Sequence, residues 1–411
     1  MDLQANPVNE ILYVAFNQDF TCFVCGTKTG FRVYSTNPFR LTFRRNFNDD
    51  GVGVIGMLFR TNILAFSGST AQGSGSRFQP HKVVLWDDRQ ERVIAELSFK
   101  TAVQSVRLRK DLVVVAIEKK VYVYGFRSLS LFDSVETISN PKGLCCLSVG
   151  PDQVVLVCPG IQKGHALVVF YPRAFGDLHA PVARERTTII QAHESSLGAM
   201  ATDANGTMLA TASEKGTIIR VFNSATGERT HELRRGADQA EVHSLNFNQT
   251  AEWLVAASDK GTVHVFSTQR EPVQINDVES TEVQLTPSNA KSSFHRMSRV
   301  LPWYFSSQWS FAQFRVPDYR CIAAFCGEPH SIVVLCANGF YFKARFDPAR
   351  GGEMTRAAYE RFDAGQEERA DDAAATSALT AATPSSSSCQ AAADTEVVST
   401  DPVSPEATAV R

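Results

Sequence analysis

No apolar run in this 411-residue chain is long enough to cross a membrane. The best, Leu112–Ile117 and Ile332–Leu335, have the length of a buried strand, whereas a spanning helix needs about 20 apolar residues. No secretory leader is expected either, because the opening stretch Met1-Asp2-Leu3-Gln4-Ala5-Asn6-Pro7 has neither a basic region nor an apolar core. The sequons at Asn205 and Asn248 are therefore expected to stay bare. Nothing suggests a disulfide framework: the nine cysteines are odd in number and scattered through apolar runs, a pattern of free thiols in a reducing cytosol. Excess charge is also lacking. The net charge is −2, with four basic against eleven acidic residues from Gly351 onward. The remainder is mildly basic, too weakly for nonspecific nucleic-acid binding but enough for a local anion site.

Catalytic and cofactor signatures are equally scarce. There is no Gly-x-Ser-x-Gly elbow, no His-Glu-x-x-His and no Walker loop, so no enzymatic activity is expected. Gly51-x-Gly53-x-x-Gly56 spells a dinucleotide fingerprint, but no helix pattern follows to receive a pyrophosphate; a β-turn is expected and no cofactor. Cys22-x-x-Cys25 lacks a second pair at ligand spacing, and on a strand the two thiols point to opposite faces. Buried thiols and no metal are expected.

What the chain has is repetition. Short β-rich runs closing on an aromatic recur as Phe31–Tyr34, Val83–Asp87, Val121–Tyr124, Leu167–Phe170, Ile219–Phe222, Val263–Phe266 and Tyr341–Phe346. Successive closing aromatics from Tyr34 to Phe266 are 52, 38, 46, 52 and 44 residues apart, near the roughly 40–45 of one four-stranded propeller blade. Most are preceded by a tight Gly turn and another alternating run, the mark of a hairpin. Helical periodicity is nearly absent before the tail. The expected fold is all-β: a seven-bladed β-propeller of WD-repeat type over residues 1–347, with a solenoid as the alternative. An exposed loop is expected at 68–79 and a long insertion at 267–310. Residues 348–411, rich in Ala, Ser, Thr and acid, are expected to form a disordered tail.

The centre of the chain is a duplicated unit. Ala210–Phe222 and Ala256–Phe266 match so that Ser213 falls on Ser258, Thr217 on Thr262 and Arg220 on His264, with Leu233-Arg234-Arg235-Gly236 between them. On an outer strand, adjacent arginines point apart and each can serve one pocket. One pocket would join Arg234 to His193, Ser213, Thr217 and Arg220; the other would join Arg235 to Ser258, Thr262 and His264. Guanidinium forks, hydroxyls and imidazoles suit a phosphorylated sugar ring. The competing reading is that edge arginines merely discourage sheet-to-sheet aggregation.

With these motifs the chain resembles the PROPPINs, the WD-repeat proteins of autophagy that interact with phosphoinositides. The likeness runs over nearly all of residues 8–347. It includes Phe16-Asn17-Gln18-Asp19, Asn140-Pro141-Lys142-Gly143-Leu144-Cys145, Pro159-Gly160 and Ser306-Ser307-Gln308-Trp309-Ser310-Phe311-Ala312. Leucine in place of the usual phenylalanine before the arginines is similar to the branch that binds the bridge-like lipid-transfer protein of autophagy. The resemblance implies two sites for phosphatidylinositol 3-phosphate and its 3,5-bisphosphate on blades five and six. His193, Ser213, Thr217, Arg220 and Arg234 would form one; Arg235, Ser258, Thr262 and His264 would form the other, with Gly236 completing the motif. It further implies a partner contact at Asn17 and Asp19, which could equally be a polar turn. In the insertion, Phe294, Met297, Leu301, Trp303, Tyr304 and Phe305, with basic residues between them, suit a segment lying in a bilayer interface. Pro302 argues against one continuous helix there. The expectation is a cytoplasmic monomer, peripheral on preautophagosomal and endosomal or vacuolar membranes, without cofactor. The rival from another class is a protein-only scaffold.

Overall fold

A computed structural model describes residues 1–5, 10–48, 50–71, 75–173, 182–269, 288–289, 307–317 and 320–362. Seven sheets follow one another along the chain and form the blades of a propeller, spanning residues 11–46, 52–98, 103–136, 146–191, 197–234, 242–315 and 321–361. Within each blade the first four strands are antiparallel neighbours in sequence order. The seven aromatic-closing runs all lie in or at the end of third strands, as in Gly30–Thr36, Lys82–Asp87, Ile218–Asn223 and Phe340–Arg345. No helix occurs among the described residues.

The reason is burial on two faces. Inner strands such as Leu112–Ile117 pack against a blade on either side and are apolar throughout. Outer strands such as Phe39–Asn46 face solvent and carry arginine. Between blades five and six, Ala212, Ile219 and Leu233 meet Leu245, Ala256 and Phe266 in one apolar cluster. Cys22 and Cys25 belong to two different clusters, on opposite faces of their strand. The Gly51-x-Gly53-x-x-Gly56 run forms the innermost strand of blade two, Val52–Met57, and the next element is another strand, Ile63–Gly68.

Two boundaries need correction. The propeller does not stop at residue 347: Gly352–Glu353 joins blade six as a fifth strand, and Thr355–Arg361 is the outermost strand of blade seven. An outermost strand exposes most of its side chains, so its composition imitates a tail; only Met354 and Phe362 are buried there. The remainder of the expected tail, from 363, lies outside the described residues. Nor is the 68–79 loop exposed throughout. Phe78 is buried against Phe47 and Phe66.

The ring closes through side chains. Tyr34 Oη on blade one donates to Phe362 O (2.9 Å), and Tyr341 Oη on blade seven donates to Thr36 O (2.7 Å). Phe23, Tyr34, Leu335, Tyr341 and Phe362 share the cluster beneath these bonds.

Candidate functional site

In blade five, Thr211 pairs with Arg220 and Arg220 with Glu232, while Ile218 pairs with Arg234. Cross-strand partners share a face, and so do residues two apart. Ser213, Arg220 and Arg234 therefore lie on one face, the one turned to blade four. The loop leaving blade four completes the group: the His193 ring Nε2 lies 3.0 Å from Thr211 Oγ1, and Arg220 Nη1 donates to Ala192 O at 2.7 Å. Arg220 also pairs with Glu232 at 3.0 Å. Burial, then the Arg220 charge, lowers the His193 pKa to about 4. Thr217 sits in the turn just before the third strand, and its carbonyl accepts from Arg235 N at 3.0 Å.

Arg234 is only 3% exposed. Its Nε donates to Ser307 Oγ (2.9 Å), and its guanidinium stands 5.9 Å from the centre of the Trp309 ring. The strand that carries it is no free edge, because Gln308–Trp309 pairs with Leu233 and Arg234 in parallel. Protection of an open edge does not explain a buried arginine on a covered strand.

Arg235 follows the last strand residue and turns the other way. Its Nε donates to Gly216 O (2.9 Å) and its Nη2 to Asp238 O. This brings it beside His264, whose pKa falls to about 4 through burial first and the Arg235 charge second. In blade six Ala256 pairs with His264, and Ala256 packs against blade five. Ser258, two residues on, shares that face with His264 and Thr262. The buried Ser258 Oγ has no hydrogen-bond partner among the described residues. His264 Nδ1 lies 3.2 Å from Ser310 Oγ. At Gly236 an added Cβ would meet nothing within 4 Å. The fold itself does not require glycine there.

The two expected groups are thus brought together on successive blades, each on the face toward the preceding blade. Sequence reading missed the segment that links them: Ser307 holds Arg234 and Ser310 meets His264. The Ser306–Ala312 motif was the signal, although nothing in its spacing says what it touches. Asn289 braces the same region, its Oδ1 accepting from Ser267 N and its Nδ2 donating to Ser267 O, both at 2.7 Å. Phe294, Met297, Leu301, Trp303, Tyr304 and Phe305 lie outside the described residues.

Asn17 and Asp19 occupy a turn between the first two strands of blade one. Asn17 is buried and spent on scaffold: its Nδ2 donates to Thr21 Oγ1 and Phe59 O, both 3.2 Å, and its Oδ1 accepts from Cys22 N at 3.1 Å. Gln18 bridges three blades through Met57 O, Leu108 O and Phe59 N. Asp19 is exposed, although its Oδ1 accepts from Thr21.

Comparison with known proteins follows the same lines. The family model described as PROPPIN matches residues 11–297. Autophagy-related protein 18e of Arabidopsis thaliana is 34% identical over 360 residues, 87% of this chain and 89% of its own. SVP1-like protein 2 of Pichia angusta is 35% identical over 335 residues, 79% of this chain and 87% of its own. Among solved structures, Kluyveromyces lactis Hsv2 superposes with a TM-score of 0.67 at 22% identity, over 86% of this chain and all of that one, which shows the shared fold. The chain belongs to the PROPPIN family, autophagy-related β-propellers that bind phosphoinositides.

Proposed function

We propose that this chain is a non-catalytic reader of phosphatidylinositol 3-phosphate and phosphatidylinositol 3,5-bisphosphate, recruited by them to membranes in autophagy. One observation carries the reading: two consecutive arginines, both more than nine-tenths buried, diverge into groups of hydroxyls and neutral histidines on neighbouring blades. A guanidinium flanked by hydroxyl and imidazole groups can meet an anion with charge-assisted hydrogen bonds. The first site comprises His193, Ser213, Thr217, Arg220 and Arg234, and the second Arg235, Gly236, Ser258, Thr262 and His264. Each is weak alone, and once one is filled the other binds as if intramolecularly, an avidity gain of roughly 10²–10⁴. The insertion holding Phe294, Met297, Leu301, Trp303, Tyr304 and Phe305 adds apolar burial in the bilayer interface.

The chain acts as a monomer, cytoplasmic and peripheral on preautophagosomal and endosomal or vacuolar membranes. There it scaffolds the bridge-like lipid-transfer protein, with contact at the Asn17–Asp19 turn falling on the exposed Asp19. Co-sedimentation with liposomes tests the core of this. The Arg234→Thr, Arg235→Thr variant, checked for an intact fold, should lose at least about tenfold in affinity for phosphatidylinositol 3-phosphate vesicles. Equal binding by the folded variant would leave a protein-only scaffold as the better reading.

A further inference from the structure

The strand registers reveal an arginine that the duplicated unit conceals. In blade six Thr262 pairs with Arg315, Val263 with Phe314 and His264 with Gln313. In blade five Ile218 pairs with Arg234, Ile219 with Leu233 and Arg220 with Glu232. Because Ala212 faces Ile219 as Ala257 faces Val263, the two sheets superpose with Arg315 on Arg234. Blade seven repeats the position with Arg361, opposite Phe340.

What surrounds the three arginines differs. On blade seven the neighbours are Cys336, Phe340, Phe342 and Tyr359, and Arg361 lies over the Phe340 ring at 4.9 Å. That face is apolar and offers a phosphate nothing. On blade six the neighbours are Ser258, Thr262, His264 and Gln313, with Glu353 of the fifth strand opposite Gln313. Phe314 and Val316 are buried on the side toward blade seven, so alternation sets Arg315 on the same face as its partner Thr262, at a rim where it also borders a cavity with Phe342, Glu353 and Tyr359. It is exposed and has neither hydrogen bond nor ion pair among the described residues. On blade five Glu232 takes up charge, pairing with Arg220 (3.0 Å) and Arg229 (2.7 Å); its blade-six counterpart, Gln313, is neutral.

We propose that Arg315 is a second cationic ligand of the blade-six site, and that it makes this site the one that takes a doubly phosphorylated inositol ring. Arg235 enters from blade five and Arg315 from the outer strand, so two guanidinium groups flank the row of Ser258, Thr262 and His264. A ring with phosphates at two positions can meet both at once. A singly phosphorylated ring needs only one. This inference rests on the phosphoinositide reading above.

The test compares vesicles carrying phosphatidylinositol 3-phosphate with vesicles carrying the 3,5-bisphosphate. Arg315→Gln is placed both in the otherwise unaltered full chain and in the Arg234→Thr chain, where only the blade-six site remains intact; Arg361→Gln serves as a control for rim charge. An exposed side chain without partners can be exchanged without unfolding the blade, which a thermal melt verifies. Arg315→Gln should weaken bisphosphate binding about tenfold and change monophosphate binding by less than about twofold, with Arg361→Gln inert. Equal loss on both lipids, no loss on either, or a matching loss in Arg361→Gln overturns the proposal. If the unaltered chain ignores both lipids, the phosphoinositide reading itself fails, a result distinct from all of these.

Discussion

His193 and His264 each stand beside an arginine in a place that excludes water. Their folded pKa values near 4, against about 6.5 in the unfolded chain, make both imidazoles neutral at pH 7. The unfolded state then binds the extra protons first. Stability is complete above pH 6.5 and drains away as pH falls from 6.5 toward 4, by as much as on the order of 3 kcal/mol for each histidine. Between pH 6.5 and 5, above the ordinary carboxylate range, this slope should be readable in urea midpoints. The His193→Gln, His264→Gln variant should show a shallower slope, though not a flat one, since burial lowers His243 as well. An unchanged slope would mean that the two rings are hydrated in solution.

At the scale of the strand and its turn, two glycines of the same site separate fold from ligand. Gly216 has φ +60°, and an added Cβ would come 1.8 Å from Ala240 O, while its own carbonyl receives Arg235 Nε. Gly216→Ala should cost roughly 1–3 kcal/mol in a melt and disturb Arg235 with it. Gly236 has open space around it. Gly236→Ala should melt like the parent and yet weaken vesicle binding, because a headgroup drawn close to that backbone would meet the methyl; unchanged binding would remove Gly236 from the site. The same scale shows what could be read from residues alone. Third strands were legible because a buried β-run closing on an aromatic has a local signature. The outermost strand Thr355–Arg361 was not, since solvent on one side erases that signature. The divergence of Arg234 and Arg235 followed from alternation, reinforced here because the strand ends between them. Ser307 and Ser310 could not be placed, being 73 and 46 residues from the side chains they meet.

For the molecule as a whole the weak seam is the junction of blades one and seven. No strand among the described residues is shared across it; buried apolar side chains, two tyrosine hydroxyls and the Asn37 amide, which meets Glu328 and Lys343, join the ends. Tyr34→Phe and Tyr341→Phe together should cost about 2–5 kcal/mol, as each leaves a buried carbonyl without its donor. If the seam forms after the folding transition state, the loss appears as faster unfolding with refolding little changed. A matching drop in the refolding rate would place the seam in the nucleus instead. Because each blade obtains its first four strands from one stretch of chain, none of these has to wait for the far terminus; only the fifth strands of blades five and six, Gln308–Trp309 and Gly352–Glu353, arrive later. A polypeptide emerging from the ribosome can form the four-stranded body of each blade in the order they are translated. The last docking event, Tyr34 meeting Phe362 across 328 residues, must await the outermost strand of blade seven.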